Sequence, residues 1–398
     1  MLRGKHILIG VSGGIAAYKT PNLISALVKE GAEVKVVMTR AATEFVTELT
    51  FATMSKNPVV TDMFERPKQW DVEHISLAKW ADVLFIVPAT ANIIGKLANG
   101  IADDMLSTVA MACRVPLLIA PAMNTAMYEN AVVQENMKKL AARGAHFVEP
   151  EEGRLACGDV GKGKLAPVEE LLDAVAAEIG FTKDFTGKKI MVTAGPTQER
   201  IDPVRFITNH SSGRMGYEIA RAARYRGAEV TLVSGKTNLT PPRGVTVVQV
   251  GSAQDMLLAC RKFSGEADIM IKTAAVADYR PKQTAEHKIK KGGAVTLELE
   301  QTTDILRELG GEKRPEQTLV GFCMETENLV ENAKQKLEKK HLDMIVANSL
   351  LDENAGFGSA NNTVTIIDRL GRMENLPNMS KFDVANEILD RILSLKKG

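Results

Sequence analysis

Cys157 is the residue whose surroundings in the sequence most clearly favour chemistry. It lies in Gly153–Lys164, a stretch with four glycines, three basic residues and few side chains that could pack. Cysteines usually prefer protein interiors, so a cysteine in a basic, glycine-rich flap that is predicted to be mobile is a candidate reactive thiol or acid. His74, at the start of a helical stretch, is a second candidate, although a lone histidine is more often structural.

Two asparagines follow predicted strands in similar small-residue contexts. Asn92 ends the segment Pro-Ala-Thr-Ala-Asn, and Asn124 ends Pro-Ala-Met-Asn. The carboxyl ends of parallel strands meet at one edge of a sheet, where ligands bind. An asparagine there can donate to a carboxylate while its carbonyl accepts from an amide. Each asparagine alone could equally cap the following helix, but their recurrence favours a binding site.

Two segments roughly half a chain apart share a strand, a turn of small residues and then a helix. The first spans Lys5–Lys19 and contains the turn Gly10–Gly14, whereas the second spans Lys188–Thr197. Bare backbone amides beside a helix N-terminus suit a phosphate. The first turn lacks the G-x-G-x-x-G spacing, and Thr39-Arg40 stands where an NAD site needs an acidic residue. A mononucleotide phosphate near Ser12 is therefore expected, with tight strand–helix packing as the alternative explanation.

The second half of the sequence contains a polar loop and several lysines that could bind an anion. Arg205–Gly213 combines hydroxyls, an amide and a glycine ahead of a helix, a composition suited to a phosphate or carboxylate nest. The small-residue strand exit Ala274–Asp278 leaves room for a ligand. The run Lys288–Lys291 and the pair Lys336 and Lys340 would more commonly form a solvated surface, but a bound triphosphate would need such charges.

Short apolar runs alternate with helical patterns through all 398 residues. A chain of this length is too long for a single hydrophobic core in most proteins. This alternation predicts two α/β domains, each a doubly wound, Rossmann-like fold with a mostly parallel sheet. We expect the domains at residues 1–180 and 188–398, with a linker at 181–187 where the periodicity is lost. The predicted strands are His6–Val11, Glu33–Met38, Asp82–Val87, Pro116–Ala120, His146–Val148, Lys189–Thr193, Val230–Ser234, Thr246–Val250, Asp268–Thr273, Thr318–Phe322, Met344–Ala347 and Thr363–Ile367.

Composition argues against several other classes of protein. The formal net charge is +1, with 45% hydrophobic and 25% charged residues, so charge offers no basis for binding nucleic acid or a membrane. No apolar stretch reaches spanning length, and the short apolar run near the N-terminus does not resemble a signal peptide. The four cysteines are widely separated and predict neither a zinc site nor a disulfide framework. A reduced, cytoplasmic protein is expected.

The first half resembles the flavin-containing cysteine decarboxylase family. The resemblance rests on Ser-Gly-Gly-Ile-Ala-Ala-Tyr-Lys from Ser12, Pro-Ala-Thr-Ala-Asn from Pro88, Pro-Ala-Met-Asn-x-x-Met-Tyr from Pro121, and the Ala-Cys-Gly flap at Cys157. It implies FMN-dependent oxidation of a cysteinyl thiol, decarboxylation, and reduction of the resulting enethiolate. Within the family, the motifs are most similar to those of phosphopantothenoylcysteine decarboxylases.

This resemblance implies a role for individual residues. Cys157 would donate a proton to the enethiolate, His74 would act near the substrate carboxylate or thiol, and Asn124 would hold that carboxylate. The residues implied to contact FMN are Ser12, Gly13, Gly14, Thr39, Ala89, Thr90, Asn92 and Ser107.

The second half resembles phosphopantothenate–cysteine ligase, the partner half in the bifunctional bacterial family of coenzyme A biosynthesis. The resemblance rests on Arg205, the run Asn209–Gly213, the segment Ala274–Tyr279 and Lys288-Ile-Lys-Lys. It implies that CTP activates the carboxylate of 4′-phosphopantothenate as an acyl-cytidylate, from which the amine of cysteine displaces CMP. Lys288 would stabilise developing phosphate charge, and Asn209 would orient the acyl group.

The ligase resemblance also implies a ligand set and an assembly. Magnesium is expected with the triphosphate, although the sequence identifies no protein ligand for it. A large homo-oligomer is implied, with trimer-based flavin domains whose sites lie between subunits and with dimeric ligase domains. The residues implied to bind the nucleotide are Thr273, Ala274, Ala275, Asp278, Lys288, Asp304, Ile305, Phe322, Lys336 and Lys340; those implied to bind the acyl substrate are Arg205, Asn209, Ser211, Ser212 and Gly213.

Two other functions stay open at the level of the sequence. Relatives of the flavin fold serve as non-catalytic regulatory subunits, but a protein of that class is expected to lack the histidine or the flap thiol, and both His74 and Cys157 are present. A peptidyl-cysteine decarboxylase is the other alternative, against which the fused ligase half argues. The leading hypothesis is a bifunctional enzyme that makes 4′-phosphopantetheine, with the second half acting first.

Overall fold

Two α/β units, Met1–Thr182 and Lys183–Gly398, make up the chain. Each contains one large, mostly parallel sheet with helices packed on it, so the predicted fold class is confirmed. The computed structural model describes residues 1–64, 72–293, 295–325, 329–349 and 361–395.

The first unit contains a parallel sheet because its strands are short, apolar runs separated by helical segments. The strands are β1 (His6–Val11), β2 (Glu33–Met38), β3 (Val59–Val60), β4 (Val83–Ala89), β5 (Leu117–Pro121), β6 (His146–Phe147), β7 (Glu151–Arg154) and β8 (Val160–Lys164). The helices, after a short 3₁₀ turn at Ile15–Lys19, are α1 (Thr20–Lys29), α2 (Arg40–Thr43), α3 (Glu48–Ser55), α4 (Glu73–Trp80), α5 (Ala91–Asn99), α6 (Met105–Ala112), α7 (Thr125–Glu129), α8 (Ala131–Ala142) and α9 (Val168–Ile179).

The six parallel strands of this unit follow the order β3-β2-β1-β4-β5-β6, while β7 and β8 form a separate antiparallel hairpin. Side chains alternate along β1: Ile7 and Ile9 pack into the core on one face and Leu8 into the core on the other. Strands buried on both faces read as continuous apolar runs, which is why the sequence located them. The strand order reverses between β1 and β4, so their carboxyl ends open a crevice.

The second unit repeats the same architecture with a longer sheet. Its strands are β9 (Lys189–Ala194), β10 (Gln198–Arg200), β11 (Phe206–Thr208), β12 (Glu229–Ser234), β13 (Thr246–Gln249), β14 (Ile269–Lys272), β15 (Tyr279–Pro281), β16 (Leu299–Gln301), β17 (Thr318–Glu325), β18 (Met344–Ser349), β19 (Asn361–Asp368) and β20 (Met373–Ser380). Its helices are α10 (Arg214–Tyr225), α11 (Ala253–Ser264), α12 (Ile305–Glu312), α13 (Leu329–Lys339) and α14 (Lys381–Leu395).

The large sheet of the second unit has the order β13-β12-β9-β14-β17-β18-β19-β20. The strands from β13 to β18 are parallel, but β19 and β20 add an antiparallel edge. The sequence did not reveal β20, whose segment contains Pro377 and lacks apolar alternation. Proline cannot donate to a strand ladder and is tolerated at a sheet edge, where β20 lies. The strand order again reverses between β9 and β14, which places a second crevice at their carboxyl ends.

Asp343, just before β18, is a buried carboxylate that fixes this sheet. It accepts hydrogen bonds from Lys313 Nζ at 2.5 Å, Arg369 Nη1 at 2.8 Å and the backbone amide of Leu319 at 2.8 Å. Its side chain is only 4% exposed. Removing a buried acceptor leaves its donors unsatisfied and its cations unpaired.

We expect Asp343→Ala to lower the free energy of unfolding by about 3 kcal/mol. For a unit of this size that corresponds to a fall of roughly 6–12 °C in the midpoint of its thermal transition. The matched control is Glu316→Ala, which breaks an exposed pair with Arg314 and should change stability by less than about 0.5 kcal/mol. Equal shifts for the two variants, measured by calorimetry, would contradict the role given to Asp343.

Two candidate active sites

Ser12 joins the carboxyl ends of β1 and β4 in the first unit. Its buried hydroxyl donates to the carbonyl of Pro88 at 2.8 Å and accepts from the amide of Thr90 at 2.9 Å. The amide of Thr39, just after β2, donates to the carbonyl of Val11 at 3.0 Å. The crevice therefore brings together Ser12, Thr39 and Thr90. Because the Ser12 hydroxyl donates its proton to the carbonyl of Pro88, its side chain holds the two strand ends together. Contacts with a ligand would then come from neighbouring groups.

The glycine turn beside Ser12 fits a phosphate-bearing cofactor. Thr39 Oγ1 is buried and, among the described residues, has no hydrogen-bond partner, which a buried hydroxyl normally has. A Cβ on Gly13 would lie 2.5 Å from the Cβ of Ala41, so only glycine lets the backbone pack this closely. A Cβ on Gly14 would lie 3.3 Å from Thr90 Cγ2. An unused buried hydroxyl beside a side-chain-free turn can take a phosphate or ribityl oxygen.

The other residues implied to contact the cofactor have different surroundings. Ala89 is buried at the end of β4, where its carbonyl accepts from the amide of Ala122 at 3.0 Å. Asn92 is exposed in the first turn of α5 and is not its N-cap. Ser107 is fully buried, and its hydroxyl and amide bond to Asp104 in the capping box of α6. The polar groups of Ser107 are thus committed to a helix end.

Asn124 is both a helix cap and a contact of the flap thiol. Its Oδ1 accepts from the amide of Ala126 at 2.8 Å, which caps α7. Its Nδ2 donates to Cys157 Sγ at 3.3 Å and to Asp159 Oδ2 at 2.7 Å. The thiol in turn donates to Asp159 Oδ2 at 3.4 Å. The cap interpretation is therefore confirmed, while the other end of the carboxamide lies beside the thiol and its role toward a substrate stays a prediction.

Two of the four flap glycines, Gly161 and Gly163, serve close packing. The flap is the hairpin β7–β8, and the carbonyl of Gly163 accepts from the amide of Met123 at 3.0 Å. A Cβ on Gly163 would lie 2.3 Å from the carbonyl oxygen of Met123, and one on Gly161 would lie 2.7 Å from Thr125 Oγ1. The sequence suggested a mobile loop with little to pack. In the structure the hairpin is docked on the segment that carries Asn124.

His74 is not joined to this cluster within one chain. It lies half-buried in the first turn of α4. Among the described residues, none makes a hydrogen bond or ion pair with its ring. Asp159, in contrast, belongs to the cluster and was missed from the sequence; its position two residues after Cys157 was the signal that could have found it.

A buried carboxylate, Asp202, organises the polar loop of the second unit. Its Oδ1 accepts from the amides of Val204 at 2.7 Å and Arg205 at 2.8 Å. Its Oδ2 accepts from Arg205 Nη1 at 2.8 Å and from the amide of Ile289 at 3.2 Å. Burial opposes ionisation, but these backbone hydrogen bonds and the guanidinium hold the pKa of Asp202 below its usual value. This residue, which sequence reasoning missed, ties the loop to the segment that carries the exposed Lys288.

The rest of that loop reaches the exit of β14. Asn209 Nδ2 donates to the carbonyl of Val276 at 3.0 Å. Ser211 and Ser212 accept from backbone amides two residues ahead, at 3.2 and 3.4 Å. Gly213, with φ of 77°, precedes α10, and a Cβ there would lie 2.7 Å from Thr237 Cγ2. Hydroxyl and amide groups thus gather at the N-terminus of α10, as the nest interpretation expects.

The exit of β14 packs on the turn after β9. The hydroxyl of Thr273 donates to the carbonyl of Thr193 at 2.6 Å, and the amide of Ala275 donates to the carbonyl of Gly195 at 3.0 Å. The amide of Ala277 donates to Thr197 Oγ1 at 3.0 Å. The turn after β9 and the Ala274–Asp278 segment, far apart in sequence, therefore line the same crevice. The sequence predicted a helix directly after this turn, but the turn runs into the antiparallel pair β10 and β11, and the helix begins only at Arg214.

A charged group borders this crevice at α12. Asp304 caps the helix by accepting from the amide of Arg307 at 3.1 Å, and Lys340 Nζ lies 2.8 Å from its Oδ2. Burial would raise the pKa of Asp304, but the hydrogen bond from Lys340 helps to hold it below its usual value. Burial lowers the pKa of Lys272, although the negative charges of Asp304 and Asp278 act to raise it. Lys272, at the end of β14, is a further lysine of this region that the sequence did not single out.

Three other residues of the predicted nucleotide set have simpler positions. Ile305 is buried in the core beneath α12, Phe322 is half-buried in β17, and Lys336 lies half-buried on α13. The core position of Ile305 leaves its backbone as the group that a ligand could contact. The described residues contain no group of three or more histidine, cysteine or carboxylate side chains that could hold a metal ion. None of the described helices is long and apolar enough to span a bilayer.

Comparison with known proteins gives the same division of the chain. Residues 1–180 match the family model described as flavoprotein, and residues 185–395 match that of the DNA/pantothenate metabolism flavoprotein C-terminal domain. The coenzyme A biosynthesis bifunctional protein CoaBC of Bacillus subtilis (strain 168) is 49% identical over 403 residues, covering 100% of this chain and 98% of that protein. The chain belongs to the coenzyme A biosynthesis bifunctional protein family.

Two solved structures resemble separate parts of this family member. The C-terminal domain of a coenzyme A biosynthesis bifunctional protein CoaBC is 49% identical, covers 55% of this chain and 100% of its own, and has a TM-score of 0.47. A cysteine-to-serine mutant of PPC decarboxylase complexed with pantothenoylaminoethenethiol is 34% identical, covers 44% of this chain and 97% of its own, and has a TM-score of 0.39. The family is one of bifunctional enzymes, so the chain carries two active sites.

We expect Gly13→Ala to weaken flavin binding in this flavoprotein unit. The added methyl would collide with Ala41, and relieving such overpacking costs about 1–3 kcal/mol, or roughly a 5- to 150-fold weaker affinity. The measurement is the flavin-to-protein absorbance ratio of the purified variant and a titration with added flavin. The matched control is Gly95→Ala in α5, where the nearest atom to the new Cβ is 3.8 Å away. Equal flavin retention in both variants would refute the packing argument.

Proposed function

We propose that the two units catalyse consecutive steps in the synthesis of 4′-phosphopantetheine. The second unit joins 4′-phosphopantothenate to cysteine at the expense of CTP, and the first unit decarboxylates the resulting 4′-phosphopantothenoylcysteine with FMN. One observation carries the proposal: the carboxamide of Asn124 offers its Nδ2 3.3 Å from the thiol of Cys157. A donor for a carboxylate thus lies directly beside a group that can deliver a proton.

The cap on α7 determines which end of the Asn124 carboxamide faces a ligand. Because Oδ1 accepts from the amide of Ala126, the NH₂ group must point outward. An NH₂ group that points outward can donate to a carboxylate, but it cannot accept a hydrogen bond from a ligand group that is itself a donor. The helix cap therefore makes Asn124 selective for the substrate carboxylate, and it holds that carboxylate in one orientation.

The first crevice offers groups that suit FMN. Thr39, Thr90 and the Ser12–Gly14 turn would hold the cofactor, with the unpaired Thr39 hydroxyl as the observation that supports the fit. When bound, FMN would accept a hydride from the carbon that carries the cysteinyl thiol, as the thiol loses its proton, and would return the hydride to that carbon after carbon dioxide has left. The residues of the chain orient the carboxylate at Asn124 and provide the proton at Cys157. The alternative, a non-catalytic flavin-binding regulator, gives the thiol–carboxamide contact no purpose.

We expect the wild-type protein to release carbon dioxide from 4′-phosphopantothenoylcysteine and Cys157→Ser to stop before the last reduction. Without the thiol proton, the yield of 4′-phosphopantetheine should fall by about 10²- to 10⁴-fold, and the unsaturated enethiol should accumulate. Mass spectrometry separates the two products by two hydrogens. Cys113→Ser is the control, because burial raises the pKa of Cys113 to about 11 and keeps it an inert thiol. An absence of carbon dioxide release from the flavin-loaded wild type would refute the assignment.

The second crevice offers distinct groups for the acyl substrate and for a nucleoside triphosphate. Arg205 and Asn209 lie on the loop that Asp202 fixes, and they suit the phosphate and carboxylate of 4′-phosphopantothenate. Lys288 follows in the segment tied to the same carboxylate and suits developing phosphate charge. The nucleotide set, with magnesium accompanying the triphosphate, comprises Thr273, Ala274, Ala275, Asp278, Asp304, Ile305, Phe322, Lys336 and Lys340.

We expect Asp202→Asn to lower CTP- and cysteine-dependent consumption of 4′-phosphopantothenate about 10- to 100-fold, since a hydrogen bond to a charged group contributes about 1.5–3 kcal/mol. Displacement of Lys288 from the developing phosphate charge should lower kcat, and displacement of Arg205 from the bound acyl substrate should raise KM. The decarboxylase reaction should be unchanged. Glu298→Gln, which removes an exposed charge paired with Lys282, is the control. A normal ligase rate in Asp202→Asn would refute the positioning role.

The isolation of His74 within one chain supports an oligomeric decarboxylase. No described residue pairs with its ring, so we propose that His74 meets the substrate across a subunit boundary in a cytoplasmic homo-oligomer. Light scattering of the purified protein tests the assembly, and a mixture of His74→Ala and Cys157→Ser, neither of which alone should form 4′-phosphopantetheine at the wild-type rate, tests the shared site. Recovery of 4′-phosphopantetheine formation in the mixture supports a shared site, whereas no recovery refutes it.

A further inference from the structure

Within the described part of the chain, no cationic side chain forms an ion pair with Asp159. Among the described residues its side chain contacts only Asn124 Nδ2, at 2.7 Å, and the thiol of Cys157, at 3.4 Å. The turn that carries both flap residues is fixed by its backbone, since the amide of Leu155 donates to the carbonyl of Asp159 at 2.8 Å. Asp159 and Cys157 therefore approach Asn124 as one unit.

Asp159 and the substrate require the same donor. The NH₂ group of Asn124 has two hydrogens, and the flap uses both, one toward Asp159 and one toward Cys157. A substrate carboxylate held by Asn124 must displace Asp159, because two carboxylates cannot share one donor without mutual repulsion. Since Asp159 and Cys157 share one hydrogen-bonded turn, displacing Asp159 would also draw Cys157 away from Asn124.

We propose that Asp159 is a positioning residue that occupies the place of the substrate carboxylate and couples the loss of carbon dioxide to the return of the Cys157 thiol. This inference rests on the decarboxylase function proposed above. While the substrate carboxylate is bound, Asn124 is occupied and the thiol is held off. Carbon dioxide is uncharged and leaves Asn124 free to rebind Asp159.

The return of Asp159 brings the proton donor to the carbon that needs it. The proton leaves Cys157 Sγ for the enethiolate carbon, and the sulfur then recovers a proton from water. The product has no carboxylate at this position, so it does not compete with Asp159. The same exchange therefore favours product release and keeps the thiol from protonating the substrate before carbon dioxide has left.

The test uses two unreactive ligands with the intact flavin-loaded protein. The serine counterpart of the substrate keeps the carboxylate but lacks the thiol that is oxidised, and its ethanolamine counterpart lacks both. For Asp159→Asn we expect the serine compound to bind about tenfold more tightly, as removal of a like charge predicts, and the ethanolamine compound to bind unchanged. Titration calorimetry measures both affinities.

Kinetics supply the second readout, in the same variant. We expect the KM for 4′-phosphopantothenoylcysteine to fall, because the Asp159 carboxylate no longer competes with the substrate. The ratio of enethiol to 4′-phosphopantetheine should rise about tenfold. A general loss of structure would not lower KM and change the product ratio together. Glu152→Gln is the control, because it removes the same charge from the same hairpin and Glu152 contacts neither Asn124 nor Cys157.

Four outcomes distinguish the hypotheses. Tighter binding of the serine compound with enethiol accumulation supports the coupling. Equal behaviour of Asp159→Asn and Glu152→Gln overturns it, as does equal weakening of both ligands, which would mean that Asp159 only holds the flap. An inactive wild type would instead refute the decarboxylase function itself.

Discussion

The parallel pairing of β1 with β2 on one side and β4 on the other is the constraint on which the first active site depends. Parallel strands bring their carboxyl ends to one edge, and the reversal of order at β1 and β4 leaves that edge open between the helices. Ser12 then locks the opening by bonding to both sides of the β4 exit. The flap contact at Asn124 is possible only because β5 ends at the same edge.

The two units share this architecture but stabilise their loops by different physical means. In the first unit, closely packed glycines let the flap hairpin dock on backbone that no larger residue would allow. The second unit uses charge: buried Asp202 gathers three backbone amides and a guanidinium, and so fixes Arg205 and the Lys288 segment. Steric fit suits a flap that must approach and leave a carboxamide, whereas a buried carboxylate with several hydrogen bonds suits a loop that must hold its shape around a charged ligand.

The elements predicted from the sequence match those of the structure best where a local pattern has one physical cause. Buried parallel strands are continuous apolar runs, so nearly all were located to within one or two residues. The edge strand β20 was missed because an exposed edge accepts Pro377 and needs no alternation. Asp159 and Asp202 were missed for a different reason: a single acidic residue is indistinguishable from a solvated one until its partners are known. The segment around Cys157 forms a hairpin in which two glycines, Gly161 and Gly163, serve close packing, whereas the sequence suggested that little would pack there.

The sequence by itself determined the two α/β units, the glycine turn at Ser12, the unusual setting of Cys157 and the candidate lysines, because these depend on local composition and period. Only the tertiary structure decided which of these residues meet. Asn124 and Cys157 are far apart along the chain, as are Asp202 and Ile289, and their contacts follow from strand order and from the docking of loops. A hydrogen bond requires its donor and acceptor atoms to lie about 3 Å apart. For residues far apart in sequence, only the complete fold brings the two atoms to that distance.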